Sequence, residues 1–190
     1  MTVRSGKQAP ARADVDVVIV GSGPGGSAAA RQIAAAGRSV LVLEEGPAQS
    51  RFRPSWAHTV RYHFQEFGTM VAEGPVPFPV MAGRGVGGGS LVNSAICFRT
   101  PAPVLESWAA LLQDERYLPA NLHPIYDEIE TRIGVVQVDE SIAGENNMLV
   151  ARGVAALGPP LEGGLLRRNA PGCIGCGICN FGCPSGGKAS

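Results

Sequence analysis

Residues 17 to 45 constrain the fold more than any other stretch. They read as strand, glycine turn, helix and second strand in unbroken succession. Val17, Val18, Ile19 and Val20 form a short β-branched apolar run, the pattern of a buried parallel strand. The run leads straight into Gly21-Ser22-Gly23-Pro24-Gly25-Gly26. Ser27 to Ala36 then reads as a helix, closed by Gly37 in the manner of a C-terminal cap. Ser39 to Leu43 reads as a second strand and delivers Glu44 at its end.

Each part of this unit has a chemical reason. Gly21 permits a tight strand-to-helix turn. Gly23 lets the backbone approach a pyrophosphate, where a β-carbon would intrude. Gly26 lets the helix pack closely on the strand. The helix start offers free N–H groups and the positive end of its dipole to phosphates. Glu44 lies 18 residues past Gly26, where an acid accepts hydrogen bonds from ribose hydroxyls. The pattern predicts a dinucleotide site. Its candidate contacts are Gly21, Ser22, Gly23, Pro24, Gly25, Gly26, Glu44 and the neighbouring Glu45. The competing view is an ordinary βαβ turn whose glycines serve packing alone, and the offset of Glu44 argues against it.

Composition narrows the classes of function. The 190 residues suffice for one domain of ordinary size, and 45% of them are apolar, as in globular proteins. The net charge is zero, so nothing points to nucleic acid or an anionic membrane. No stretch reaches the roughly 20 apolar residues of a membrane span. Residues 1 to 16 are polar, with Arg4, Lys7 and Arg12, and read as a flexible leader; residues 17 to 190 read as one domain. Five cysteines are present, four of them between Cys173 and Cys183. Without a secretory signal a disulfide framework is disfavoured, and the expected location is cytoplasmic.

Trp56 to Phe67 is expected to form a short helix with an apolar stripe of Trp56, Val60 and Phe64. Its His58 and His63 are five apart, poor spacing for one helical face, and read as surface or packing residues. The proline-rich stretch from Glu73 to Pro79 cannot be a central strand. Helices are expected over 103–113, 122–133 and 145–157, with His123 a packing residue at the start of the second. Beyond Leu161 the chain reads as loop.

A second glycine-rich stretch runs from Gly83 through Arg84, Gly85, Gly87, Gly88, Gly89 and Ser90 to Asn93. Such a backbone can lie flat against a bulky ligand, where an exposed flexible linker is the alternative. Leu91, Val92 and Ile96 flank it with core-like residues, which favours cofactor contact.

At this point the sequence resembles the glucose–methanol–choline (GMC) flavin oxidoreductases. The matching pieces are Val18 to Gly26, Val40 to Pro47, and Gly83 to Asn93 with Arg99 and Pro101 behind it. Fainter echoes are Tyr126 to Glu130 and Arg168-Asn169. The resemblance implies an α/β fold, a Rossmann-like FAD-binding βαβ core with helical insertions, incomplete without a C-terminal half. It implies FAD as the nucleotide, which the first glycine motif alone cannot separate from NAD. It places Gly88, Gly89 and Ser90 along the phosphate and ribityl path, Asn93 near the isoalloxazine, and Arg84 among the cofactor contacts. It also implies a small-molecule alcohol substrate. The family's catalytic histidine and its partner match none of His58, His63 or His123. They would come from a C-terminal half or partner subunit, and an N-terminal fragment or half of a split enzyme is expected.

Cys173, Cys176, Cys179 and Cys183, followed by Pro184, have the C-x2-C-x2-C-x3-C-P spacing of bacterial ferredoxins. The fourth cysteine of such a run ligates a second cluster in two-cluster ferredoxins, so a single run supplies three good ligands. A metal-binding loop is expected, with an iron–sulfur cluster ahead of zinc and of reduced structural thiols. A cluster would pass electrons to a carrier. The rival to an enzyme is a nucleotide-binding and iron–sulfur module that serves a partner subunit without catalysis.

Overall fold

The computed structural model describes residues 2–10, 12–48, 55–159 and 164–189. The architecture is mixed α/β, and the chain divides into two compact units. The first holds residues 1–94 and 178–184, and the second holds 95–177 and 185–189.

The first unit is built on the expected βαβ. Strand β1 (Val17–Val20) pairs parallel with β2 (Val40–Leu43), Val17 opposite Val40 through Val20 opposite Leu43. Helix α1 (Pro24–Ala35) makes the crossover, with Pro24 in its first turn, where a missing N–H costs nothing. It starts inside the glycine turn, three residues before the expected Ser27. Gly21 turns the chain at φ +92° and its N–H donates to the Leu43 carbonyl at 2.7 Å. Gly37 ends the helix at φ +82°. A side-chain latch absent from the pattern reading ties the strand starts together. Ser39 donates through N–H and hydroxyl to the Asp16 carboxylate at 2.8 and 2.7 Å, and Asp16 N–H donates to Ser39 Oγ at 2.9 Å.

The apolar runs predict strands buried on both faces, and they are covered on one. Val18, Val20 and Leu43 share the uncovered face and are exposed, Val20 at 85%. Among the described elements, the helix that packs on these strands is α1.

Helix α2 (Trp56–His63) is capped by Ser55, whose hydroxyl accepts from His58 N–H at 3.3 Å. The expected continuation to Phe67 fails: Gln65–Gly68 is a 3-10 turn in which Glu66 and Phe67 take φ +45° and +57°. Strands β3 (Val71–Ala72) and β4 (Phe78–Pro79) form a two-residue antiparallel hairpin, compatible with proline as an edge residue. Residues 178–184 are anchored in this unit, with Thr59 Oγ1 donating to the Phe181 carbonyl at 3.0 Å and Ser94 Oγ to Asn180 Oδ1 at 2.7 Å.

The second unit is largely helical. Helix α3 (Ala102–Leu112) buries Leu105 and Ala109. Helix α4 (Pro119–Arg132) starts three residues before the expected Leu122. Pro119 sits in its first turn and Pro124 is carried inside, at the loss of one backbone bond. Strand β5 (Val136–Gln137) pairs antiparallel with β6 (Arg167–Arg168), a hairpin the loop reading missed because two-residue strands have no periodicity. Between them runs α5 (Glu140–Leu157), broken at Gly144 (φ +77°), so its continuous part begins where the sequence pattern places it, at Glu145. An ion network fastens α4 to the hairpin. The Arg99 guanidinium donates to Glu130 at 2.9 and 2.5 Å and to Asp127 at 2.6 Å, and Arg167 donates twice to Glu130 at 2.8 Å.

Candidate functional site

Three segments of the first unit meet: the turn 21–26, the end of β2 at 44–46, and the second glycine loop from Gly83 to Ser90. Their glycines fall into two groups. In one, a β-carbon would collide with backbone. At Gly26 it would lie 2.1 Å from the Gly21 carbonyl oxygen, at Gly46 2.2 Å from Gly85 N, at Gly83 2.6 Å from the Gly88 carbonyl oxygen, and at Gly88 2.8 Å from Gly23 Cα. These glycines let three backbones interlock. In the other group, a β-carbon meets no closer atom than Gly88 Cα at 4.0 Å from Gly23, and nothing within 4 Å at Gly25 and Gly89. This second group borders open space beside the N-terminus of α1, whose first N–H groups have no side-chain cap.

Ser22 and Glu44 tie these backbones together. Glu44 Oε2 accepts from Ser22 N–H at 2.9 Å and from the Ser22 hydroxyl at 2.7 Å, and Oε1 accepts from Gly46 N–H at 2.9 Å. Burial pushes the Glu44 carboxyl up, but the bonds from Ser22, Gly46 and Gly85 outweigh it and hold the group below the usual carboxylate range. Ser22 Oγ in turn accepts from Gly87 N–H at 3.1 Å.

Glu45 points to a different neighbourhood. Its carboxylate accepts from the Gln65 side chain and lies 3.9 Å from Arg84 Nε. Arg84 N–H donates to the His63 carbonyl at 2.7 Å. Ser90 Oγ donates to the Gly87 carbonyl at 2.7 Å within the 3-10 turn Gly88–Leu91, and Asn93 is exposed two residues past that turn. Gly46, Gly83, Gly85 and His63 were not among the individual site contacts named from the sequence, although Gly83 and Gly85 lie in the second glycine stretch and His63 was read as a surface or packing residue. His63 is 3% exposed, and a β-carbon on Gly85 would approach its Nδ1 to 3.4 Å. Burial lowers its pKa, and Nδ1 has no hydrogen-bond partner among the described residues. Its value as a packing residue is visible once the glycine loop lies on it.

The cysteine run is divided. Cys173 and Cys176 fall in the second unit, and Cys179 and Cys183 in the first. Each half has its own ties: Cys173 N–H donates to the Ala170 carbonyl at 3.1 Å, Arg168 Nη1 donates to Cys173 Sγ at 3.5 Å, and Gly182 N–H donates to the Cys179 carbonyl at 3.1 Å. Gly175, Gly177 and Gly182 all take positive φ, as an open loop requires. Among the described residues no group of three or more His, Cys, Asp or Glu side chains is arranged to hold an ion. None of the five cysteines is joined in a disulfide.

A parallel βαβ with an uncapped helix start facing open glycines defines a Rossmann-type dinucleotide-binding protein. The family is shown by comparison: residues 15–190 match the GMC oxidoreductase model, and the chain belongs to this FAD-binding family. It is 37% identical to an uncharacterized GMC-type oxidoreductase of Mycobacterium tuberculosis over 99% of this chain and 30% of that protein. It is 34% identical to a long-chain-alcohol oxidase of Arabidopsis thaliana over 91% of this chain and 23% of that one. Pyridoxine 4-oxidase from Mesorbium loti has a similar fold, with a TM-score of 0.65 at 19% identity, covering 82% of this chain and 36% of that chain. The chain thus spans about a third or less of these relatives. Among the described residues, no helix is long and apolar enough to cross a membrane.

Proposed function

We propose that this chain is the FAD-binding part of a flavin-dependent oxidoreductase that oxidises an alcohol. The carrying observation is the open face at Gly23, Gly25 and Gly89 beside the N-terminus of α1, in a chain of GMC type. Bound FAD supplies the hydride acceptor. The chain's own residues do the holding. The N–H groups at the α1 start would hold the pyrophosphate, with Gly88, Gly89 and Ser90 along the ribityl chain and Asn93 near the ring, as the family resemblance implies. Arg84 and Glu45 form the polar edge. A long-chain-alcohol oxidase among the relatives supports an alcohol as substrate.

The base that takes the alcohol proton lies, in this reading, outside these 190 residues, in a C-terminal region or partner of the kind the longer relatives carry. The purified 190-residue chain is then silent in alcohol-dependent dye reduction. Residues 17–190 act as one cofactor-holding part, in a cytoplasmic setting where cysteines outside disulfides stay reduced.

A visible spectrum of the purified full-length natural protein, with any co-purifying partner, tests the reading. Flavin bands present in the wild type and lost in Gly23→Val support it. A β-carbon at Gly23 meets only Gly88 Cα, at 4.0 Å, so unchanged flavin content in that variant removes the site. The iron–sulfur part rests on cysteine spacing alone. Equal iron and sulfide after anaerobic purification, lost in Cys179→Ser, would establish it. Zinc without sulfide would make the loop structural, and no metal in a folded sample would end electron transfer through it.

A further inference from the structure

The Ser22 hydroxyl stands at a junction that neither glycine motif assigns. It is 9% exposed, donates to Glu44 Oε2 at 2.7 Å and accepts from Gly87 N–H at 3.1 Å. It also lies 3.4 Å from the Gly85 carbonyl oxygen. One hydroxyl therefore joins the end of β2 to the Gly87 N–H of the second glycine loop. A hydroxyl has one proton and two lone pairs, so it can bond a carboxylate and an N–H at once, which a methyl group cannot.

We propose that Ser22 is a positioning residue that assembles the second glycine loop against the first before the cofactor arrives. The backbone N–H of Ser22 already satisfies Glu44 Oε2 at 2.9 Å, so β2 and the first turn do not need the hydroxyl to stay together. What the hydroxyl adds is the link to Gly87. The loop it holds carries Gly88, whose Cα must come within touching distance of Gly23, and Gly89, which borders the open face. Without the link, Gly87 N–H loses a buried acceptor and the loop gains conformations that FAD must suppress on binding. Glu44 takes part by fixing the hydroxyl's direction. Its carboxylate orients the proton and so turns a lone pair toward Gly87. Ser22 acts through the loop and need not touch the ligand.

The proposal deepens the FAD reading and rests on it for the ligand, but one arm of its test does not. Amide hydrogen exchange on the cofactor-free full-length protein reads the loop directly. Gly87 N–H is expected to exchange about tenfold faster in Ser22→Ala, with β1 and β2 amides unchanged; equal exchange overturns the proposal whatever the ligand is. The second arm compares FAD with ADP. ADP needs only the first turn and the helix end, whereas FAD runs on along the second loop. Ser22→Ala is expected to weaken FAD about tenfold, the equivalent of one hydrogen bond, and ADP less than about twofold. Equal losses for both would mean that Ser22 acts on the first turn, and the proposal falls. Wild-type protein that binds ADP but not FAD would sink the flavin reading and leave the exchange result standing. Ser22→Gly, which restores the residue type of its neighbours and also lacks the hydroxyl, serves as the second variant should Ser22→Ala fail to fold.

Discussion

The two compact units are held together by different physics. In the first, backbone lies on backbone: glycines remove the β-carbons, and a buried serine and carboxylate satisfy the exposed N–H groups. In the second, side chains span between elements, and a single carboxylate, Glu130, takes four hydrogen bonds from two arginines. The first design is intolerant of added volume where backbones touch. The second leans more heavily on charge. A cofactor cradle needs the first kind, because a ligand phosphate can approach a peptide N–H only where no side chain intervenes.

The largest effect expected from that contrast is at Gly46. Its β-carbon would fall 2.2 Å from Gly85 N and 2.5 Å from Gly85 Cα, and backbone cannot swing aside as a side chain can. Gly46→Ala should cost about 3 kcal/mol or more and remove flavin from the purified protein. Thermal melts read the loss. A melting temperature within about a degree of wild type would show that the interlock is looser than drawn.

Next is Glu130. Hydrogen bonds from Arg99 and then Arg167 hold its carboxyl down at about 2. A depressed pKa stabilises the fold fully above the unfolded value near 4.5, and the contribution is lost as pH falls from there toward 2. Glu130→Gln should cost about 2 kcal/mol at neutral pH, by removing charge from bonds to two guanidinium groups. The same change should flatten the acid side of the stability curve. Urea midpoints across that pH range check it. A variant with the wild-type acid slope would move the pH dependence to other carboxylates.

Gly23→Ala sharpens the contrast from the other side. Its new methyl meets only Gly88 Cα at 4.0 Å, so the protein accommodates it. The cost in stability should stay below about 1 kcal/mol, the scale of an N-cap change. FAD affinity should fall about tenfold or more, since a methyl group then stands at the helix start where the pyrophosphate approaches. Flavin titration and a melt on the same sample separate the two. A large loss of stability would place Gly23 with the interlocking glycines.

The smallest effect is expected at Ser39→Ala. It removes the latch to Asp16 at an exposed corner, where Ser39 lowers the Asp16 pKa. A fall of about 2 °C in melting temperature is expected, with flavin binding unchanged. A change in flavin affinity would show that strand starts and strand ends are coupled.

Much of the cradle was legible in the chain itself. Local chemistry dictates it: β-branched runs for β1 and β2, positive φ at Gly21, and glycines wherever backbones touch. Helices α3 and α5 were legible too, because their apolar spacing repeats. The start of α4 was misplaced because Pro124 looks like a first-turn residue, while Pro119 holds that position. The β5–β6 hairpin, the Ser39–Asp16 latch and the Arg99–Glu130–Arg167 network join residues from 23 to 37 positions apart, or strands of two residues. Nothing in a local window marks such partners.

By itself, then, the order of residues determined the βαβ, the glycine positions and the family. Those depend on backbone conformation, which each residue type constrains on its own. Only the tertiary structure decided which glycines interlock and which stay open. It alone put Ser22 between Glu44 and Gly87, and placed the halves of the cysteine run in different units. These are facts about which distant backbones come within about 3 Å of each other, and that depends on how the whole chain packs.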